Sequence, residues 1–157
     1  NGKAQIVHDQ KLEVLDQLIE EANGQPVLVF YNYKHELDRL QARYPQAVHV
    51  KEENVVKRWN AKEIPILLAN PASAGHGLNL QFGGHIAIWY SPTWNLEFFQ
   101  QANKRLHRRG QAETVLIHTL SAKGTIDERI YDIVLRNKEA GQNALLEAVK
   151  ARIKEVT

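Results

Sequence analysis

The chain has 157 residues with 20 basic and 18 acidic side chains, a net charge of +2, and a chain of this length buries roughly two-thirds of its surface without metal or disulfide help. The absence of Cys excludes a disulfide framework and thiolate chemistry, and seven His without paired spacing give no zinc site, so no metal held by the protein alone is expected. No apolar run approaches a membrane span and no charged-then-apolar leader opens the chain, so it reads as an intracellular, cytoplasmic protein without a membrane partner; having no Met, even at position 1, it is read as processed or as a piece of something longer.

In chain order, Leu12, Leu15, Leu18, Ile19 and Ala22 recur at helical spacing after Asp9, a candidate N-cap, and Asn23-Gly24 stops that helix. PVLVFYN at 26–32 is a continuous apolar run of the kind found in strands covered on both faces. Asn32 is placed to cap the next helix, whose Tyr33, Leu37, Leu40 and Tyr44 share a face until Pro45 ends it. AVHV at 47–50 predicts a short strand, Glu53 to Ala61 a short helix, and IPILLAN at 64–70 a second buried strand. The loop NPASAGHGLNLQ at 70–81 leads to the strand HIAIWYS at 85–91, a helix from about Asn95 to Arg108 with Gly110 as its C′ residue, and the strand TVLIHTLS at 114–121. Thr125 and Glu128 form a T-x-x-E capping box ahead of Ile126, Ile130, Ile133 and Val134 on one face. Gly141 breaks that helix, and 139–157 is read as a terminal helix carrying Leu145, Val149, Ile153 and Val156. Strands separated by helical crossovers predict one α/β domain over 1–157, with a mostly parallel sheet covered by helices on both faces.

The ligand crevice of such a sheet lies beyond the carboxyl ends of its strands, so the loops after Asn32, Asn70 and Ser91 are expected to share one edge. Gly75 and Gly77 free the 70–81 loop for close approach to a bulky anion, although a G-x-G after a strand is as often only a tight turn. Within QANKRLHRRGQ at 101–111, Gln101, Arg105 and Arg108 fall at i, i+4 and i+7, so a helix would line an amide and two guanidiniums on one face. That face could serve a γ-phosphate or a nucleic-acid backbone, or be a solvated helix end whose cations complement the dipole. Trp94 could stack on a base or be core. No P-loop is present, and Asp127-Glu128 is better explained by the capping box than by metal binding, so an arginine finger here would serve a nucleotide bound elsewhere.

These motifs resemble the C-terminal, second RecA-like lobe of superfamily-two helicases and translocases, in the Swi/Snf-like branch and in a phage or prophage version. The family's QAxxRxxRxGQ motif matches Gln101, Ala102, Arg105, Arg108, Gly110 and Gln111, and its glycine-rich loop ending G-x-N-L matches Gly75, Gly77, Asn79 and Leu80. VLVFYN at 27–32 matches its apolar strand motif, Trp94-Asn95 its Trp-Asn pair, and GTIDERIYD its T-I-E-E-R-I segment. Ala74-Gly75 stands where the family usually has Gly-Gly, Asn70-Pro71 where it has Ser-Thr, Ser91 where it has an acid, and Leu96 where it has Pro.

The resemblance implies a RecA-like three-layer α/β/α fold and a motor half rather than a whole enzyme. A separate N-terminal RecA-like lobe would carry the P-loop and metal-binding carboxylates, with ATP and Mg²⁺ in the cleft between lobes. Arg105 and Arg108 would be the catalytic fingers, and Gln101, Gly75, Gly77 and Asn79 would contact the nucleotide. Ser73, His76, Trp94 and Asn95 would face DNA, duplex by analogy with relatives that translocate without separating strands. Two rivals are a Rossmann-like small-molecule binder, which lacks a Gly-rich turn after the first strand, and a non-catalytic DNA-binding or interaction module using the basic helix, which leaves the Gln101 spacing and the 70–81 loop unexplained.

Overall fold

The computed structural model describes residues 2–74, 78–122, 125–140 and 149–156. The first half runs α1 (Gly2–Glu21), β1 (Val27–Phe30), α2 (Lys34–Arg43), β2 (Val48–His49), α3 (Val55–Asn60) and β3 (Ile66–Ala69). The second runs α4 (Pro71–Ala74), β4 (Ile86–Trp89), α5 (Leu96–Asn103), β5 (Val115–Ala122), α6 (Ile126–Ala140) and β6 (Val149–Val156). The strands form one sheet in the order β2-β3-β1-β4-β5-β6, with every pairing parallel.

Continuous apolar strands bury both faces because alternate side chains point to opposite sides. On one face Val27, Val29, Tyr31, Leu68 and Ile88 meet Leu12, Leu15 and Leu18 of α1 and Leu40 of α2. On the other, Leu28, Phe30, Ala87 and Trp89 meet Trp59 of α3, Phe99 and Ala102 of α5, and Ile130 and Val134 of α6. Each large apolar side chain so buried contributes on the order of 2 kcal/mol. Trp89 anchors the second layer, with its ring centroid 4.5 Å from that of Phe30 and 4.7 Å from that of Phe99.

Several local expectations change. α1 starts at Gly2, so Asp9 lies inside the helix instead of capping it; no Pro or Gly interrupts residues 3–22. Its stop is as expected, with φ of 52° at Asn23 and 85° at Gly24. Tyr33, not Asn32, holds the cap position of α2, and the Glu36 carboxylate accepts from the N–H groups of Asn32 (2.9 Å) and Tyr33 (3.2 Å). On α6 the buried stripe is Ile130, Tyr131 and Val134, while Ile126 and Ile133 are exposed. Thr125 Oγ1 accepts from Asp127 N–H as a cap should, but the Thr125 N–H goes to the Ala122 carbonyl. Asp127 pairs with the buried Lys11 of α1, so its carboxylate joins two helices.

Residues 149–156 form a strand beside β5 where the sequence pattern predicts a terminal helix over 139–157; residues 139–140 close α6, and 141–148 and Thr157 lie outside the described residues. VKARIKEV fits both periods, because Val149, Ala151 and Ile153 also alternate with Lys150, Arg152 and Lys154. Pairing decides between them: a strand there satisfies the outer backbone groups of β5. Alternating cations suit an edge strand. Among the described residues no helix is long and apolar enough to cross a membrane.

Candidate functional site

The three loops expected at the carboxyl edge of the sheet do meet there. Asn32 Nδ2 donates to the Ser91 carbonyl (2.9 Å) and the Pro92 carbonyl (2.8 Å), and Asn70 Nδ2 donates to the Asn32 carbonyl (3.3 Å). Ser91 Oγ donates to the buried Glu36 carboxylate at 2.7 Å. Lys11 Nζ donates to the Tyr90 carbonyl at 3.2 Å while paired with Asp127, so the chain leaving β4 is held from both sides.

Ser73, Trp94 and Asn95 belong to this edge. Ser73 lies in α4, a single turn inside the 70–81 segment that begins where Asn70 Oδ1 accepts from Ala72 N–H. Trp94 is 52% exposed, which removes the core reading for its ring. Asn95 caps α5: its Oδ1 accepts from Phe98 N–H at 3.0 Å, so that oxygen is already committed. Gly75, His76 and Gly77 lie outside the described residues.

α5 is shorter than its sequence predicts. It ends at Asn103, not Arg108, so Gln101, Arg105 and Arg108 do not share one helical face. Asn103 is fully buried and its Oδ1 accepts from Trp89 Nε1 at 2.9 Å, which docks the end of the helix onto the sheet. Beyond it the ladder is mixed: Arg105 N–H on Ala102 and Leu106 N–H on Asn103 are i−3 bonds, while His107 N–H on Asn103 is i−4. The Arg105 carbonyl, freed from the helix, accepts from Leu80 N–H at 3.1 Å. Gly110, expected as the C′ residue of the helix, instead closes the following turn at φ 97°, with the Phe82 ring packed over it.

Segments 78–84 and 105–111 therefore lie side by side. Arg105 Nη1 donates to the Leu78 carbonyl (3.3 Å), Arg108 Nη1 to Asn79 Oδ1, and Gln81 Nε2 to the Arg109 carbonyl (3.3 Å). Gln111 Nε2 donates to the carbonyls of Gly84 (2.9 Å) and Leu106 (3.0 Å). Since Gly84 lies two residues before the start of β4, this seam runs toward the amino ends of the strands, away from the Asn32–Ser91 edge. The candidate residues thus fall in two groups, Ser73, Trp94 and Asn95 at the carboxyl edge and Gln101, Asn79, Arg105 and Arg108 along the seam. Segment 70–84 connects them.

Arg105 also donates from Nε to the Gln101 carbonyl at 3.0 Å, and the Gln101 side-chain amide donates to Glu97 at 3.1 Å. Among the described residues neither Arg105 nor Arg108 is paired with a carboxylate; their acceptors are neutral carbonyl and amide oxygens. Burial first, and then the Arg108 guanidinium, push the Arg105 pKa down from its ordinary value. Two adjacent guanidiniums without a counter-charge suit a phosphate, whose arrival would relieve that repulsion. Among the described residues no group of three His, Asp or Glu side chains is placed to hold a metal ion. The residues that set this seam from behind, Trp59 and Asn60, carry no motif that distinguishes them in the sequence from ordinary helix positions.

Residues 10–110 match the helicase conserved C-terminal domain family. The chain is 41% identical over 153 residues to protein p41 of Acyrthosiphon pisum secondary endosymbiont phage 1, covering 93% of this chain and 33% of that protein. It is 32% identical over 170 residues to the chromatin-remodeling ATPase INO80 of Mycosarcoma maydis, covering 96% of this chain and 9% of that protein. The crystal structure of the C-terminal part of the Fun30 ATPase domain superposes with a TM-score of 0.69 at 24% identity, over 79% of this chain and 44% of that one, which shows the RecA-like α/β fold. The chain thus spans a third or less of these two sequence relatives.

Proposed function

The chain belongs to the helicase conserved C-terminal domain family, in its Swi/Snf-like superfamily-two branch, and we propose that it is the second motor lobe of an ATP-dependent DNA translocase, inactive as an ATPase on its own. The observation that carries this reading is the Arg105–Arg108 pair: two guanidiniums held side by side by neutral acceptors, in a sequence that contains no P-loop. Such a site can bind phosphate charge but has no loop to grip a nucleotide by itself.

In this reading an N-terminal RecA-like lobe holds ATP with Mg²⁺, which supplies the phosphoanhydride bond whose hydrolysis drives movement. Arg105 and Arg108 supply positive charge where negative charge develops, an effect on the order of 10³ to 10⁵ in rate for an arginine finger. Gln101 carries the carbonyl that holds the Arg105 Nε, and Asn79 holds Arg108. Gly75 and Gly77 are proposed to let the backbone approach the nucleotide. DNA, duplex rather than single-stranded, is the proposed partner of the carboxyl edge, met by Ser73, His76, the exposed Trp94 ring and Asn95. The 70–84 segment, running from that edge to the arginine seam, is suited to couple the two.

The test is ATP hydrolysis with duplex DNA, measured for this chain alone and for a protein in which the first lobe precedes it. Turnover only in the two-lobed protein is expected; comparable turnover by the chain alone would remove the half-site reading.

A further inference from the structure

Two consecutive residues at the end of α3 hold the backbone that carries the arginine contacts. Trp59 Nε1 donates to the Leu80 carbonyl at 2.7 Å in a buried bond, and Asn60 Nδ2 donates to the Asn79 carbonyl at 2.8 Å. The same two residues of the returning segment meet the arginines, Leu80 N–H donating to the Arg105 carbonyl at 3.1 Å and Asn79 Oδ1 accepting from Arg108 Nη1. The register is therefore Trp59 to Leu80 to Arg105, and Asn60 to Asn79 to Arg108. The fit against α3 leaves no slack. A Cβ on Gly83 would lie 2.2 Å from the Trp59 carbonyl oxygen, and one on Gly84 would lie 2.8 Å from the Trp59 ring. Segment 79–84 cannot slide along α3 without a collision, because close-packed interiors transmit such displacements rather than absorb them.

We propose that Trp59 and Asn60 are positioning residues for the arginine pair, fixing through the Leu80 and Asn79 carbonyls where Arg105 and Arg108 sit. This rests on the reading of those arginines as the phosphate-facing groups. Trp59 is fully buried and so out of reach of any ligand; its effect passes through the segment it holds. Donors mounted on a helix and locked by packing give the precision such a constellation requires. A misplacement of about 1 Å in a group far from the chemistry can lower a rate by on the order of 10²-fold.

Trp59→Phe keeps most of the ring packing and removes the Nε1–H donor, and Asn60→Ala removes the amide donor. In nitrogen-15 spectra of the 157-residue chain, Trp59→Phe is expected to shift the Arg105 Nε–H signal and Asn60→Ala that of Arg108, with exchange of the Leu80 N–H faster by about tenfold in Trp59→Phe. Unchanged arginine signals in both variants overturn the proposal, whatever the arginines do in catalysis. In the two-lobed protein each variant is expected to lower kcat for DNA-stimulated hydrolysis by about tenfold with KM for ATP changed by no more than about twofold. Asn60→Ala is expected to add nothing to Arg108→Ala, because both act on one group. Normal kcat in both α3 variants beside an inactive Arg108→Ala protein overturns the positioning role and leaves the arginine reading standing. Normal turnover in Arg108→Ala itself overturns the arginine reading, and the positioning role falls with it.

Discussion

Asn79 Oδ1 accepts a hydrogen bond from Arg108 Nη1, tying the loop that returns from the carboxyl edge to the turn that follows α5. An amide is a neutral acceptor, so it holds the guanidinium in place without cancelling its charge. Asn79→Ala is therefore expected to lower DNA-stimulated turnover of the two-lobed protein by about tenfold, the scale of one lost hydrogen bond plus a looser finger. Steady-state kinetics with KM for ATP followed in parallel checks this; turnover equal to the unaltered protein would show that Arg108 needs no such tether.

Lys11 and Asp127 predict a stability effect that the exposed pair Lys34–Asp38 should not share. The Lys11 side chain is 4% exposed and that of Asp127 14%, against 79% and 57% for Lys34 and Asp38. Removing one member of a buried pair leaves an uncompensated charge and costs about 3 kcal/mol or more, whereas an exposed pair is worth about 0 to 1 kcal/mol. Urea unfolding of Asp127→Ala and Asp38→Ala is expected to differ accordingly. Equal midpoints in the two variants would contradict the pairing.

His49 gives the fold a pH dependence with a defined sign. Its Nδ1 accepts from Lys51 N–H at 3.2 Å, so the ring proton sits on Nε2 and is donated to Tyr31 Oη at 2.6 Å. Burial first, and then the Lys51 charge, lower its pKa from the ordinary 6.5. Between the lowered value and 6.5 the unfolded chain binds more protons than the folded one, so stability rises with pH in that window. The contribution is full above 6.5 and lost as pH falls through the folded value. An imidazole titration by NMR should place His49 below 6.5 with the Nε2–H tautomer; a value above 6.5 would reverse the sign.

Gly110 and Gly24 both have positive φ, at 97° and 85°, but only Gly110 is also crowded. A Cβ at Gly110 would lie 2.7 Å from the Phe82 ring, while one at Gly24 meets nothing within 4 Å. Gly24→Ala should cost only backbone strain, about 1 to 2 kcal/mol. Gly110→Ala should cost that plus a smaller amount for turning aside the Phe82 ring, which is 56% exposed, and the extra loss should disappear on adding Phe82→Ala. Thermal melts of the three variants decide the matter, and equal losses for the two glycines would contradict the described packing.

The central strands were legible because VLVF, ILLA, IAIW and VLIHTLSA are apolar enough to be buried on both faces. The residues of the QAxxRxxRxGQ motif were legible by type, but the single helical face that their spacing suggested does not form, because α5 ends at Asn103. What the local pattern could not carry was set by contacts far apart in the chain. The end of α5 depends on Asn103 meeting Trp89 and on Leu80 meeting the Arg105 carbonyl, and neither partner lies within a helical turn. The strand at 149–156 wins over a helix only because β5 offers it an edge. Asn32 looks like a cap and serves as a cross-edge tie, because Glu36 takes the cap N–H groups first.

The most direct test of the arginine-finger role is Arg108→Ala in the two-lobed protein, with ATP binding and DNA-stimulated hydrolysis measured on the same preparation. The account predicts binding within about twofold of the unaltered protein and turnover lower by on the order of 10³-fold, since the finger contributes to the reaction and not to gripping the nucleotide. Near-normal turnover, or loss of binding in step with loss of turnover, would contradict it.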